Sequence, residues 1–335
     1  MPGFVLCAGL QWHRPPGQSL PILRLRGTDS AAAGRNGPGY SLLEGFTIVT
    51  EKVLIAGCGD LGYRTALRLL AQGHEVWGLR RHPPSDDGSG LHWMAADMTR
   101  PDTLAELPQG ITQLVLTMTP DTREEAAYQA AFLWSPRNLL KALDTACLQR
   151  VLFVSSSAVY GDHQGGWVDE RTPEEPPGFN GRILLEAEQD LARQPFTTIA
   201  LRLAGLYGPG RTQLLERIRR GVARAPRTIP HWSNRIHIDD AAAAVVHLLA
   251  LPNPDRLYLG SDSTPLPLHV LYDTIAQQLG VPAVQDGPSP SGVGSKRLSN
   301  RRLLDSGLML AWPDSRTGYA ALVQENQAAG PGRTA

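Results

Sequence analysis

The sequence predicts a doubly wound α/β fold, in which helices cover both faces of a parallel sheet. Two observations carry this prediction. From residue 52 onward, short apolar runs alternate with amphipathic segments long enough to form helices, and this alternation is typical of strand-helix-strand units. The apolar runs also lack a period of two, so both faces of each strand are expected to be covered, as they are in parallel sheets.

The expected elements follow each other in the order that such units require. Strands are predicted at 53–56, 75–79, 113–116, 151–154 and 197–201, with a further strand, the third in order, ending before the segment 95–98. Helices are predicted at 61–72, 124–133, 136–146 and 184–193. Right-handed crossovers between the strands then produce a sheet that is wound in both directions.

The alternation weakens beyond about Pro209 into helices, a loop rich in proline and glycine at 286–294, and a tail. We therefore expect the main α/β domain at residues 51–208. A smaller C-terminal substrate lobe of the same fold unit is expected at 209–326, and a flexible tail at 327–335.

The first fifty residues differ from the rest of the chain. Thirteen of them are glycine or proline, a composition that does not easily repay the entropy of ordering, so we expect a poorly ordered extension over residues 1–50. Its excess of arginine faintly suggests a transit peptide. We favour the alternative that translation starts near Val49, which N-terminal sequencing of the native protein would test.

Charge and cysteine content exclude several classes of function. The 32 basic residues balance 32 acidic ones, so a general attraction to nucleic acid or to an anionic membrane is not expected. Three scattered cysteines encode neither a disulfide framework nor a zinc cluster, and the nine histidines form no HExxH or HxH motif, so no metal is expected. The longest apolar run, at 241–246, is too short to span a membrane. We expect a cytoplasmic protein.

The sharpest motif is a strand that runs directly into GxGxxG and then into a helix, at Lys52-Val-Leu-Ile-Ala-Gly57-Cys-Gly59-Asp-Leu-Gly62. In a Rossmann-type dinucleotide-binding unit the first glycine permits a tight turn, the second lets the backbone approach a pyrophosphate, and the third allows close packing of helix on strand. The anion then sits at the helix N-terminus. We expect cofactor-binding residues along this and the following strand ends: Gly57, Cys58, Gly59, Asp60, Leu61, Gly62, Arg80, Arg81, Asp97, Met98 and Thr117. Cys58 is either an oxidisable group or, as we favour, a small buried filler.

The end of the second strand indicates which cofactor is preferred. An acidic residue there would bind the adenosine 2′-hydroxyl of NAD, whereas this strand ends in Arg80-Arg81. Two guanidinium groups suit a 2′-phosphate, so we predict NADP in preference to NAD. The alternative is that arginines end strands by chance in a chain with only three lysines among its 32 basic residues. Asp97 is expected either to contact the adenine or to cap the next segment.

Three further motifs resemble those of the extended short-chain dehydrogenases/reductases, the NAD-dependent epimerase/dehydratase family. They are the strand ending Ser155-Ser156-Ser-Ala-Val159-Tyr160-Gly161, the segment Leu201-Arg-Leu-Ala-Gly-Leu-Tyr207-Gly-Pro-Gly-Arg211 and the segment Arg235-Ile-His237-Ile-Asp-Asp240. The resemblance covers about residues 52–325. It implies that Ser156 binds the reacting oxygen, and that a homodimer forms through the helices before and after Ser156.

The family's catalytic pair, a Tyr followed four residues later by a Lys, is missing. None of the eight tyrosines has a lysine at that spacing. Anchoring on Glu188 puts Asn180 and Leu184 at the two positions. Since a phenol with a pKa near 10 needs a nearby positive charge to act as a base at neutral pH, the ordinary Tyr/Lys mechanism is absent. With Lys296-Arg-Leu-Ser-Asn-Arg-Arg-Leu303, the chain resembles an atypical branch whose members are named only provisionally.

Other polar residues near these motifs have a structural and a functional interpretation. Tyr160 and Arg182 are candidates to replace the missing acid and electrophile, although such residues are more often structural. Asn180, Arg182 and Arg211 are expected to contact substrate. The arginines from Arg211 to Arg227 suggest phosphate binding, but apolar residues at helical spacing favour the solvated face of an amphipathic helix.

The sequence thus supports two hypotheses. The first is an NAD(P)-binding oxidoreductase or epimerase-like enzyme for a small polar, nucleotide-linked substrate. The second, which the missing pair favours, is a non-catalytic dinucleotide-binding sensor or partner-binding protein.

Overall fold

A computed structural model describes residues 50–85 and 88–328. The predicted N-terminal extension and C-terminal tail lie almost entirely outside these residues.

The strands are β1 Lys52–Ala56, β2 Glu75–Arg80, β3 His92–Ala95, β4 Gln113–Leu116, β5 Arg150–Ser156, β6 Trp167–Val168, β7 Thr197–Leu203, β8 Gly205–Tyr207, β9 Arg224–Ala225, β10 Trp232–Ser233, β11 Arg235–His237, β12 Leu257–Gly260, β13 Leu266–Pro267, β14 Gln285–Asp286 and β15 Arg297–Leu298. Seven of them form one sheet in the order β12-β7-β5-β4-β1-β2-β3. Every neighbouring pair in this sheet is parallel, and the predicted doubly wound α/β sheet is confirmed.

The α-helices are α1 Asp60–Ala71, α2 Glu125–Gln129, α3 Ser135–Ala142, α4 Phe179–Ala192, α5 Gln213–Arg219, α6 Ile238–Ala250, α7 Leu268–Leu279, α8 Arg301–Asp305 and α9 Ser315–Ala328. A π-helical turn at Ala130–Trp134 joins α2 to α3. No helix in the described part of the chain is both long enough and apolar enough to cross a bilayer.

Two expectations about element boundaries were wrong. The strand β12 adds to the sheet edge beyond β7, although the sequence after Pro209 predicted no strand for the sheet. Helix α4 begins at Phe179 and not at residue 184, because Gly181 lies inside it. A Cβ atom on Gly181 would lie 2.3 Å from the carbonyl oxygen of Ala158, so this glycine lets α4 pack directly on the turn that follows Ser156.

The described residues form two hydrophobic clusters. The larger lies around the sheet and includes α1, α4 and α6. The smaller joins Tyr207, α5, α7 and α9, and all of its buried residues lie between 207 and 323. The division into an α/β domain and a substrate lobe stays a prediction.

A buried lysine ties the C-terminal part of the chain to the loop that follows Ser156. The ammonium group of Lys296 donates hydrogen bonds to the carbonyl oxygens of Tyr160, Gly161 and Gly294, at 3.4, 3.3 and 3.3 Å. Burial lowers its pKa, and the nearby Asp162 opposes this shift. The adjoining strand β15 pairs with β6. We call this arrangement the Lys296 clasp.

Candidate functional site

A cleft of about 720 Å³ opens at the carboxyl ends of the central strands. It lies over β1 and β4, between which the strand order reverses, and ligands of open α/β sheets bind at such a switch point. The predicted site residues that line it are Gly57, Gly59, Asp60, Leu61, Gly62, Arg80, Arg81, Asp97, Met98, Thr117, Ser156, Asn180 and Arg211. Cys58, Tyr160 and Arg182 are not among its lining residues.

The glycines of the first loop have distinct environments. Gly57 has φ +74°, and a Cβ atom there would lie 2.8 Å from the backbone of Met118. A Cβ atom on Gly62 would lie 3.0 Å from Ile55 and from Thr117. By contrast, the Cβ position of Gly59 meets only the oxygen of Gly57, at 3.8 Å. The loop therefore turns tightly, packs α1 closely on the sheet, and leaves open space at Gly59.

The N-terminus of α1 faces this open space. Its N-cap is Gly59, and no side chain caps the helix there. The first backbone N–H groups of a helix carry a partial positive charge and lack partners within the helix. This end of α1 can therefore hold an anionic group, as the glycine spacing predicted.

Cys58 lies beneath the loop and is fully buried. Its sulfur lies 3.0 Å from the position of a Cβ atom on Gly78 and 3.5 Å from one on Gly62. Burial raises the pKa of the thiol to about 12, although Arg80 acts to lower it. Such a thiol is unreactive, so the interpretation as a buried filler is the one its environment supports.

The two arginines at the end of β2 differ in their partners. Arg81 makes a bidentate pair with Asp121, at 2.7 and 2.5 Å. Arg80 has no side-chain hydrogen bond or ion pair with any described residue. The charge of the Arg81 guanidinium is therefore compensated by Asp121, whereas the guanidinium of Arg80 is available to bind a ligand in the cleft.

Asp97 and Thr117 lie at the ends of β3 and β4. Asp97 accepts hydrogen bonds from the backbone N–H and the hydroxyl of Thr99, at 3.0 and 2.7 Å, and it also lines the cleft. It caps the following turn, and these hydrogen bonds lower its pKa. The Thr117 hydroxyl donates to the carbonyl oxygen of Gly57 at 3.0 Å, which fixes the loop to β4.

Ser156, which also lines the cleft, is the last residue of β5. Its hydroxyl oxygen accepts a hydrogen bond from the backbone N–H of Ala158, at 3.2 Å. Asn180 and Leu184 of α4 line the same cleft, although neither can supply the chemistry of a Tyr/Lys pair. We call the part of the cleft around Ser156, Asn180 and Leu184 the serine corner.

A buried ion network contacts the residue next to Ser156 and the helix that carries Asn180 and Leu184. The Arg202 guanidinium donates to Glu188 at 2.6 Å, to Glu174 at 2.7 Å and to the hydroxyl of Tyr160 at 2.7 Å. Ser155, next to Ser156, donates to Glu188 at 2.5 Å. This network connects β5, β7 and α4.

Tyr160 belongs to this network. Its hydroxyl donates to the carbonyl oxygen of Asp169 at 3.2 Å, and only 1% of the residue is exposed. Burial raises its pKa to about 12, against the effect of Arg202. These contacts and its position outside the cleft favour a structural role.

The other predicted arginines also divide into two groups. Arg182 is exposed on α4 and does not line the cleft. Arg211 lines it and forms a 3.2 Å ion pair with Asp60 at the start of α1. In α5, Leu215 and Ile218 are buried while Arg217 is exposed. This helix is therefore amphipathic, which is the interpretation that the helical spacing of its apolar residues favoured.

Some cleft residues were not singled out from the sequence. Asp121 is one, and Tyr128 of α2 is another. Tyr128 lies far from every recognised motif and carries no local signal, and only the packing of α2 against α4 brings it to the cleft. In the described residues no group of acidic, histidine and cysteine side chains is suited to hold a metal ion.

The parallel sheet, the glycine loop and the cleft at the switch point define a Rossmann-type α/β protein. The chain belongs to the NAD dependent epimerase/dehydratase family, whose model matches residues 53–260.

Three known proteins illustrate the likeness. A solved structure from Methylobacillus flagellatus, provisionally described as an NAD-dependent epimerase/dehydratase, is 41% identical, with a TM-score of 0.70 over 83% of this chain and 100% of that one. Protein YeeZ of Escherichia coli K12 is 29% identical over 79% of this chain and 97% of its own length. The UDP-glucose 4-epimerase of Thermus thermophilus, solved with NAD, is 20% identical, with a TM-score of 0.69 over 83% of this chain and 99% of that one. At that identity the likeness concerns the fold alone.

Proposed function

We propose that this protein is an NAD(P)-dependent oxidoreductase or epimerase-like enzyme that acts on a small polar, nucleotide-linked substrate. The observation that carries the proposal is that Gly59, with open space at its Cβ position, and Ser156 line one and the same cleft. The cofactor pyrophosphate would bind the N-terminus of α1, and the bound cofactor would supply or accept a hydride. Met98 and Thr117 would contact its adenine and ribose portions.

Arg80 supports a preference for NADP. It is an uncompensated cation at the end of β2, where NAD-binding proteins of this fold have an acid. We expect NADPH to bind at least about tenfold more tightly than NADH, which corresponds to one charge-assisted hydrogen bond. Arg80→Ala should abolish the difference, whereas the matched variant Arg81→Ala should alter it less because Asp121 already holds Arg81. Equal affinities in the wild type would refute the preference.

Substrate recognition is assigned to Asn180 and Arg211. Both line the cleft, and the guanidinium of Arg211 can bind a phosphate group once it leaves Asp60. The solved epimerase from Thermus thermophilus acts on UDP-glucose, and a UDP-sugar is our first choice of substrate class. Arg182, also predicted from the sequence, would need a change in its exposed position to take part.

Ser156 would orient the reacting oxygen. The test is hydride exchange: labelled NADPH is incubated with a panel of UDP-sugars and other small carbonyl compounds, and the wild type is compared with Ser156→Ala. We expect label transfer by the wild type and a loss of at least about 100-fold in the variant, the range of a positioned polar group.

The absence of the Tyr/Lys pair specifically favours a second candidate, a non-catalytic dinucleotide-binding sensor or partner-binding protein. The same experiment distinguishes the two. If NADPH binds but no compound gives turnover or label transfer, the enzyme proposal fails and the sensor proposal is supported.

Two further proposals concern the protein's state in the cell. A homodimer would pack through α3 and α4, where a groove is lined by apolar residues such as Leu133 and Leu140. A cytoplasmic location is proposed because the described cysteines, Cys58 and Cys147, are free thiols, as in a reducing compartment.

A further inference from the structure

The serine corner lacks a tyrosine from α4, but another tyrosine reaches the same cleft. Tyr128 lines it, and its hydroxyl makes no hydrogen bond to any described residue. None of the other described tyrosines lines the cleft. Tyr128 is thus the only phenol that the described residues bring to it.

The ring of Tyr128 is fixed beside the serine corner. It packs edge-on against Phe179, with centroids 5.4 Å apart, and Phe179 directly precedes Asn180. It also packs on Phe132 at 5.6 Å, and Phe132 in turn contacts Phe153 on β5 at 6.1 Å. Tyr128 therefore packs directly on the helix that carries Asn180, and through Phe132 it is linked to the strand that ends at Ser156.

The backbone around Tyr128 is irregular. The π-helical turn at Ala130–Trp134 begins two residues after it, and the Ser135 hydroxyl donates to the carbonyl oxygen of Ala130 at 2.8 Å. Ala130 and Ala131 line the cleft together with Tyr128. Such turns are frequent at functional sites, where they re-aim a stretch of helix.

The other acids of the cleft are already engaged. Asp60 binds Arg64 at 2.8 Å, Asp121 binds Arg81, and Asp97 binds Thr99. Ser155 donates to Glu188. Every carboxylate among the described residues that line the cleft thus already has a partner.

The geometry points to Tyr128 as the group that donates a proton to the reacting oxygen of the substrate, at the side of the cleft where α4 offers Asn180. This inference rests on the proposed function. In the reduction of a carbonyl group, the carbon receives a hydride whose two electrons come from a reduced nicotinamide cofactor. The O–H bond of Tyr128 breaks, its proton passes to the substrate oxygen to give an alcohol, and water reprotonates the phenolate.

The first test uses a readout other than activity. The protein is labelled with 3-fluorotyrosine, and the fluorine resonance that is missing from Tyr128→Phe is assigned to residue 128. Tyr272→Phe assigns a control resonance from a buried tyrosine outside the cleft. NADP+ is then titrated, and binding is followed independently by quenching of tryptophan fluorescence.

We expect the Tyr128 resonance to shift with the same midpoint as the quenching, while the Tyr272 resonance does not move. A saturating fluorescence change with an unmoved Tyr128 resonance would overturn the assignment of Tyr128 but leave cofactor binding intact. No binding by either readout would overturn the proposed function, and the role of Tyr128 with it.

The second test separates proton donation from binding. Tyr128→Phe keeps the ring and its packing but lacks the proton, so kcat for carbonyl reduction should fall at least about 100-fold, as for a general acid. The Kd for NADPH should change less than about twofold, and Tyr272→Phe should behave as the wild type. Turnover by Tyr128→Phe within a few-fold of the wild type would overturn the inference.

Discussion

Replacing Gly59 by alanine should reduce the affinity for NADPH while leaving the stability of the protein almost unchanged. The added methyl group would meet only one protein atom within 4 Å, the oxygen of Gly57 at 3.8 Å. It would instead occupy the space in which the pyrophosphate is expected to bind. Overpacking of a well-fitted site costs about 1–3 kcal/mol, so the Kd should rise about 5- to 150-fold. The free energy of unfolding should fall by less than about 1 kcal/mol, the cost of alanine at an N-cap.

Two neighbouring glycines provide matched controls. Gly73 has φ +83° with no heavy atom near its Cβ position, so Gly73→Ala should cost only the strain of a left-handed residue, about 1–2 kcal/mol. Gly57 adds to that strain a contact of 2.8 Å with the backbone of Met118. Since that backbone cannot move aside cheaply, Gly57→Ala should cost about 2–5 kcal/mol in stability.

The assay is a pair of measurements on each variant. Denaturant unfolding gives the free energy of unfolding, and fluorescence transfer from tryptophan to NADPH gives the Kd. The three substitutions should separate: Gly59→Ala loses affinity, Gly73→Ala loses a little stability, and Gly57→Ala loses both. Wild-type affinity in Gly59→Ala would refute the placement of the pyrophosphate, and wild-type stability in Gly57→Ala would refute the packing argument.

Three further outcomes are expected. Arg202→Met should lower the free energy of unfolding by about 3–5 kcal/mol, because it leaves the Glu188 carboxylate buried without its partner; a loss below about 1 kcal/mol in denaturant would contradict this. Burial raises the pKa of Asp262 to about 7, so the native state holds a proton that the unfolded chain releases above about pH 4. Stability should therefore fall between pH 4 and 7, by at most about 4 kcal/mol, and Asp262→Asn should flatten that slope in pH-dependent denaturant unfolding. In the native protein, iodoacetamide should modify the exposed Cys147 and spare Cys58; peptide mass spectrometry would reveal equal labelling if the burial argument is wrong.

The sheet was predictable because its signal is local. Continuous apolar runs that end in glycine or serine, such as those before Gly57 and Ser155, identify buried parallel strands without any knowledge of their neighbours. The short strand β12 was not predicted because its four residues follow a helix-rich region, and its place in the sheet is set by pairing with β7. The first turn of α4 was not predicted because the helix was expected to begin at residue 184, whereas Gly181 lies inside it and allows close contact with Ala158.

The residues of the candidate site also differ in whether the sequence could predict them. The glycine loop and Ser156 lie within motifs whose spacing has a physical reason, so the sequence was sufficient to expect them. Tyr128 has no such motif, and it reaches the cleft only because Phe179 and Phe132 position its ring. Conversely, Tyr160 lies within a recognised motif, yet its hydroxyl is held by Arg202, a contact that depends on tertiary packing.

The Lys296 clasp also constrains the order in which the protein can be made. Its ammonium group reaches the carbonyl of a residue 136 positions earlier, and strand β15 supplies the partner of β6. During synthesis, the loop after Ser156 must therefore wait for most of the polypeptide to leave the ribosome before its carbonyl groups find their donor. Contacts between such distant residues form slowly. The nascent chain can thus form β1 to β7 and the glycine loop before the loop after Ser156 is anchored, and a chain interrupted near residue 290 would lack both the hydrogen bonds of Lys296 and the strand that pairs with β6.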